Sequence, residues 1–454
     1  MRKNLLSPAC GAALVVCLSS LVPMVASADG MFFTARGARP LGRAGAYTAG
    51  ADDLEAIYYN PAGLSGTGDI SAMLDVGLVF QSVDYTRIDS GGNTQPTVSD
   101  NNGIIPIPLL GVSWRPEALS RRLTFAFAAF APYSGVANYD PNGPQRYSLV
   151  SINGTALLVA ELAVSFRITP TFYLAAGFQN MFASVHNVVT LSGCTALNCA
   201  PEDPNFDAPA QARVASQFTP SGNFGALYLN RWFRVGASFQ LPYYIHATGT
   251  ITTRLPNDHQ FDTAVVVGND LNVDFTIPWV ARGGVEVRPR RDLRIELQGD
   301  YEAWSMQDKF NFTPVNVSLQ HVTGVGTYNL GPMYLNRGMQ DAYGVSLGGE
   351  LDVLDKRLTI RAGYRYESSA VPDATLSVLT PDGDKHLFSV GLSARLGKFR
   401  FDLGFGHVYQ PDRDITNSQS YQLQPIRPPV LIGVGNGHYS VGMEVLSLGV
   451  EHRW

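Results

Sequence analysis

The stretch LRIELQGDY, residues 293–301, alternates. Leu293, Ile295, Leu297, Gly299 and Tyr301 fall on one face, and Arg294, Glu296, Gln298 and Asp300 on the other. Successive side chains of an extended chain point to opposite faces, so this is strand periodicity rather than the 3.6-residue period of a helix. LTIRAGYRYE (358–367) and FRFDLGFGHVY (399–409) repeat it. RVGASFQLPYY continues the apolar face from Val235 through Ala237, Phe239 and Leu241 to Tyr243. In each segment one face is apolar with aromatic ends, and the other is polar or glycine.

A soluble sandwich would alternate in the same way, so the connections decide. Strands are expected to begin near residues 71, 104, 121, 152, 171, 214, 231, 271, 291, 340, 356, 384, 398 and 437. Connectors near 116–121, 169–171, 230–231, 289–292, 354–356 and 396–398 are short. Those near 87–103, 133–150, 188–212, 253–270, 304–340, 369–383 and 411–436 are long. An even number of strands, with short turns on one rim and long loops on the other, is the layout of an outer-membrane barrel. A sheet in lipid must close on itself, because no water satisfies an open edge. The predicted fold is therefore all-β, a closed 14-stranded antiparallel transmembrane barrel. Its charged face, including Arg294, Glu296, Arg361, Arg365, Arg400 and Asp402, would turn to the lumen, because a charge against hydrocarbon is costly.

Composition excludes the alternatives. Charged residues are 16% and the net charge is −5, which offers nucleic acid nothing. After the first 28 residues no apolar run reaches the 18 residues of a membrane helix. Residues 1–28 read as a signal peptide. Arg2 and Lys3 lead an apolar stretch that ends in Ala26-Ser27-Ala28, so processing is expected before Asp29. Cys194 and Cys199 lie in an acid- and proline-rich loop outside the reducing cytosol, where a short loop disulfide is expected. The chain ends on an amphipathic strand with Trp454 last, a signal for the barrel-assembly machinery.

Enzymatic chemistry finds no footing. The eight histidines are scattered, none beside a Gly-x-Ser-x-Gly elbow or at metal spacing. GVGNG (Gly433–Gly437) follows a proline-rich loop rather than opening a helix, so it is not a phosphate cradle. No catalytic residue, cofactor or metal is expected.

Residues 29–68 do not alternate. They are small, glycine-rich and carry a short helical pattern near 53–58, which suits a plug folded into a wide lumen. Within them, GRAGAYTAGADDLEAIYYNPAGLSG resembles the N-terminal hatch of the FadL family of outer-membrane transporters (OmpP1/FadL/TodX). The matching residues are Gly42-Arg43-Ala44, Asp52-Asp53 and Tyr59-Asn60-Pro61-Ala62-Gly63-Leu64. The likeness continues through GPQRYSL (143–149), SFQLPYYIHATG (238–249), FTIPWVARGGVEVRP (275–289) and VPDATLSVLTPDGDKHLFSVG (371–391).

The resemblance implies three parts: a signal peptide (1–28), a hatch (29–68) and a 14-stranded barrel (69–454). It implies uptake of hydrophobic compounds, foremost long-chain fatty acids, with hydrocarbons as the alternative inside the family and a general porin or structural barrel outside it. Asn60, Pro61 and Ala62 would anchor the hatch end. Phe32 and Phe33 would meet an alkyl chain, and Arg146 and Arg361 a carboxylate. Pro132 and Gly135 would end the kinked strand of a lateral exit. The expected partners are the hydrophobic ligand, outer-membrane lipid and lipopolysaccharide, with a monomeric barrel.

Overall fold

The computed structural model describes residues 35–454 except 120, 133–135, 195–201 and 425–430. Phe32, Phe33, Gly135 and Cys199 lie outside these residues. Fourteen strands form one antiparallel ring: β1 (Ile70–Ile88), β2 (Ile105–Trp114), β3 (Leu123–Phe130), β4 (Ala156–Arg167), β5 (Phe172–Ser192), β6 (Asp207–Leu229), β7 (Phe233–Gln240 and Tyr243–Thr253), β8 (Asp270–Ile277 and Val280–Arg290), β9 (Leu293–Glu302 and Lys309–Val315), β10 (Met333–Asn336 and Ala342–Val353), β11 (Leu358–Glu367), β12 (Lys385–Leu396), β13 (Phe399–Tyr409) and β14 (Gly437–Arg453). β1 closes the ring against β14, in register from Ser71↔Arg453 to Arg87↔Gly437. The strand count and the alternation of short and long connectors are as the sequence predicts.

The wall is uneven in height. β3 has eight residues and β6 twenty-three. β7, β8, β9 and β10 are each interrupted part-way and then continue against the same neighbours. Pro242 and Pro278 sit at two of the interruptions, where a missing N–H costs no ladder bond. The expected loops at 188–212 and 304–340 are correspondingly shorter, since both contain strand. A three-stranded sheet (Val265–Val267, Ser318–Val322, Gly326–Asn329) rises from the long-loop rim.

Two belts of aromatics mark the lipid zone. Phe239, Trp279 and Tyr301 contact in sequence at 5.4 Å spacings. Farther around, Tyr343 meets Tyr366, and His386 meets Tyr366 and Tyr409. Near the opposite rim Trp114 stacks on Phe125, Tyr228 lies beside Phe233, and Phe399 and Trp454 both contact His452. Such girdles flank the apolar band of membrane barrels. Between them the outward residues are apolar and exposed, as at Val285, Leu297, Val345 and Phe405.

Residues 35–68 lie inside this ring and are almost wholly buried. They contain a helix Ala38–Leu41 (α1), a helix Ala56–Tyr59 (α2) and a 3₁₀ turn over Pro61–Gly66. The single helix expected near 53–58 is thus shorter and later, followed by a tight turn. Inward glycines give the segment its room. A Cβ on Gly404 would lie 2.5 Å from the Ala38 carbonyl oxygen, and one on Gly391 2.8 Å from the Gly42 Cα.

Candidate functional site

The lumen has two chemically opposite levels. At the lower level, between the aromatic belts, charged side chains from the wall grip residues 35–68. Arg43 pairs with Glu286 (3.2 Å) and Glu296 (2.8 Å). Glu296 also accepts the backbone N–H groups of Ala49 (2.7 Å) and Gly50 (2.9 Å). Arg39 spans Asp52, Asp53 and Glu350. Arg400 reaches Asp53, Asp402 and Glu451 at 2.6, 2.7 and 2.9 Å. Buried ions survive only when paired in this way. Burial alone would raise the Asp53 pKa, but Arg400 and Arg39 hold it down to about 2. Glu55 differs. Burial, then Asp53, push it well above the usual carboxyl value, and both its oxygens lack a hydrogen-bond partner.

Asn60 secures the end of this segment. Its amide donates to the Thr48 carbonyl (2.9 Å) and to that of Ala226 on β6 (3.0 Å), while its Oδ1 accepts from Ala62 N–H (3.1 Å). Pro61 opens the 3₁₀ turn, and Ser165 of β4 donates to the Ala62 carbonyl (3.1 Å). Asn60, Pro61 and Ala62 therefore do more than precede β1; they tie the segment to two strands of the wall.

The upper level reverses the pattern. Below Pro278, β8 turns Val285 and Val287 outward and Arg282 and Glu286 inward; above it, Leu271, Val273, Phe275 and Ile277 are buried. β7 flips across Pro242. Tyr243 is 2% exposed and Tyr244 66%. This corrects the expectation that Tyr243 continues the apolar outer face begun at Val235. On β9, Phe310 and Phe312 replace inward charges such as Glu296 and Asp300. Above the belt the outside is water, so the wall turns its apolar side in.

These side chains enclose an apolar cavity. Ile152, Val189, Leu191, Ala212, Ile251, Val273, Phe275, Phe310, Phe312 and Leu379 line it, with Tyr147, Ser148, Asn187 and Ser377 at intervals. It holds about 990 Å³ of empty space including its mouth. It is a narrow slot. No charged side chain is among the described residues lining it.

The other sequence candidates fall around these levels. Arg146 pairs with Asp207 (2.7 Å) and lies 4.2 Å from the Tyr147 ring, at the cavity's edge. Arg361 is 3% exposed and bonded to Glu350 (2.9 Å) and Ser393 (2.6 Å), inside the lower network rather than at the cavity. Pro132 follows the end of β3, whose last register pairs are Phe130 with Leu109 of β2 and with Val159 of β4. Cys194 is disulfide-bonded. Trp454 is exposed and donates its backbone N–H to the Ile70 carbonyl. The cavity residues escaped the sequence reading, although the apolar alternation in LNVDFTI and KFNFTPV, set against Pro242 and Pro278, carries the signal.

Residues 19–440 match the family model for outer membrane protein transport protein (OMPP1/FadL/TodX). The chain belongs to this family. FadL-family proteins are outer-membrane transport channels for hydrophobic compounds rather than enzymes, and this chain is a multi-pass barrel of the outer membrane. Solved FadL-family structures share the fold at low identity. A Pseudomonas aeruginosa FadL homologue is 16% identical with a TM-score of 0.77, over 93% of this chain and 99% of that one. The monoaromatic hydrocarbon channel CymD is 16% identical with a TM-score of 0.60, over 92% and 97%. The Pseudomonas putida toluene transporter TodX is 15% identical with a TM-score of 0.62, over 88% and 94%. No curated protein matches the chain.

Proposed function

We propose that this FadL-family barrel takes up long-chain fatty acids by capturing the alkyl chain in the upper cavity and releasing it past the segment 29–68, which acts as a hatch. The apolar cavity at the top of a charged lumen carries the reading. Each methylene moved from water into it contributes about 0.8 kcal/mol, so a long chain is retained without covalent chemistry. Pro132, just past the end of β3 and beside the longer β2 and β4, supports lateral release at that point of the wall. The hatch bonds of Asn60 support a plug that shifts as a unit. The second reading is a neutral aromatic or aliphatic hydrocarbon, favoured by the uncharged lining of the slot; CymD and TodX bear names of that kind.

Proteoliposomes holding the full chain test this. Uptake of a labelled long-chain fatty acid in preference to a small sugar is expected. Equal uptake of the sugar would identify an open porin, and preference for toluene over the acid would favour the second reading.

A further inference from the structure

The short-turn rim, which faces the periplasm in an outer-membrane barrel, carries an arc of cations that meet no acid. Four consecutive turns stand side by side: 230–232 between β6 and β7, 291–292 between β8 and β9, 354–357 between β10 and β11, and 397–398 between β12 and β13. Backbone bonds of 2.8 Å join them, from Arg288 to Trp232, from Asp352 to Asp292 and from Arg395 to Arg357. Arg231, Arg291, Lys356, Arg357, Arg395 and Lys398 are exposed along this arc, and none of their side chains makes an ion pair or hydrogen bond with the described residues. Three acids share the arc. Asp292 is bonded to Arg290 (3.0 Å), Asp352 accepts from Thr359 (2.7 Å), and Asp355 is exposed in the β10–β11 turn.

Elsewhere on this rim Arg121 pairs with Asp69 (3.0 Å) and Glu117 (2.7 Å), and Arg453 with Glu451 (3.0 Å). The seven long loops at the other rim hold twelve acidic and four basic residues, so the arc is no general excess of positive charge. The same turns expose apolar side chains beside the cations. Trp232 follows Arg231, Leu354 comes two residues before Lys356, and Leu396 two before Lys398. Leu354 is 71% exposed and Leu396 67%. The β10–β11 turn holds Leu354, Asp355 and Lys356 at φ of 51°, 53° and 66°, the left-handed region that glycine enters at less cost. The neighbouring turn uses Gly397 there, at 62°. An apolar side chain at acyl depth with a cation at headgroup depth suits a lipid interface, and here it recurs in three neighbouring turns.

We infer that this arc binds the phosphates of anionic phospholipids in the periplasmic leaflet, with Trp232, Leu354 and Leu396 against their acyl chains. Phosphate oxygens accept from guanidinium forks and from ammonium groups. A basic cluster just beyond a membrane-spanning element is drawn to an anionic leaflet surface. Charge selects the lipid, because a zwitterionic headgroup brings its own cation to the rim and an anionic one does not. Such binding is independent of which cargo passes through the lumen. The arc is centred across the ring from β3, so lipid held there fixes one side of the wall and leaves the proposed release point clear.

The test presents the full-length protein in detergent with equimolar phosphatidylglycerol and phosphatidylcholine, and native mass spectrometry counts the lipids retained. The wild type is expected to retain phosphatidylglycerol over phosphatidylcholine by about tenfold. One basic residue near an anionic surface contributes about fivefold, so Lys356→Gln, Arg357→Gln and Lys398→Gln combined should leave a preference of about twofold or less. Arg121→Gln, on the same rim but already paired, should keep the wild-type ratio. High salt should lower the ratio in the wild type. Heat-modifiable migration verifies that each variant is folded. A wild type without lipid preference overturns the inference, as does a triple variant that keeps it or an equal loss in Arg121→Gln. Sedimentation with purified peptidoglycan distinguishes the other anionic partner at this rim. Binding there that the triple variant loses, with lipid preference intact, would make the arc a cell-wall contact and overturn the inference as well.

Discussion

The two levels of the lumen are built from the same strands with opposite surfaces. Below the belt of Phe239, Trp279 and Tyr301, the strands show lipid their apolar side and turn charge inward. Above it, they show water their polar side and turn Val273, Phe275 and Phe310 inward. Each level places outside what its external solvent tolerates, and the lumen takes what is left. The lower lumen therefore holds residues 35–68 by ion pairs, and the upper lumen offers an apolar slot. The difference separates a place that holds residues 35–68 from the place proposed for binding.

The hardest test of the lower level is Arg43→Met. It leaves Glu286 and Glu296 without their shared cation, and one partner removed from a buried pair costs about 3–5 kcal/mol. A lower urea midpoint and faster proteolysis within residues 35–68 are expected, with the barrel still membrane-inserted. An unchanged midpoint would mean that the network does not hold the segment.

The inversion is tested by one change on each level of β8. Val285→Arg faces hydrocarbon and should cost about 2–4 kcal/mol. Asn272→Arg, above Pro278, should stay within about 0.5 kcal/mol, as for an ordinary surface change. Folding titrations in lipid that gave both variants the same penalty would remove the distinction between levels.

A smaller effect is expected in the slot. Ala212→Phe puts a ring into space meant for an alkyl chain. Ligand affinity should fall by about tenfold, equivalent to fewer than two displaced methylenes. Retained affinity would place the binding site elsewhere.

The subtlest contrast is within residues 35–68. Asp53 is held at about 2, below its ordinary 3.8, so its stabilisation is complete above that ordinary value and is lost as pH falls toward 2. Glu55 is raised above 4.5, so the folded protein keeps a proton that the unfolded chain has released. Its contribution to stability therefore declines as pH climbs from 4.5 through the raised value. Glu55→Gln should flatten that upper limb in pH-dependent unfolding and leave the acid limb. An unaltered upper limb would show that Glu55 ionises without cost.

The strand pattern was legible because alternation is local: LRIELQGDY shows its two faces without reference to any neighbour. Asn60-Pro61 was legible as a turn for the same reason. Its grip on Ala226 was not, because the two residues are 166 positions apart and meet only when the ring closes. Tyr243 was placed on the wrong face because the alternation was carried through Pro242 unbroken. Arg361 looked like any lumen arginine until Glu350 and Ser393 claimed it.

The sequence by itself determined the strand periodicity, the even strand count and the short and long rims, since each is written in neighbouring residues and in spacing along the chain. The tertiary structure alone decided which arginines meet a carboxylate and which do not. Charge pairing across a closed ring depends on residues hundreds of positions apart, as with Arg39 and Glu350. Only strand pairing sets Arg291, Arg357 and Arg395 in neighbouring turns of one rim.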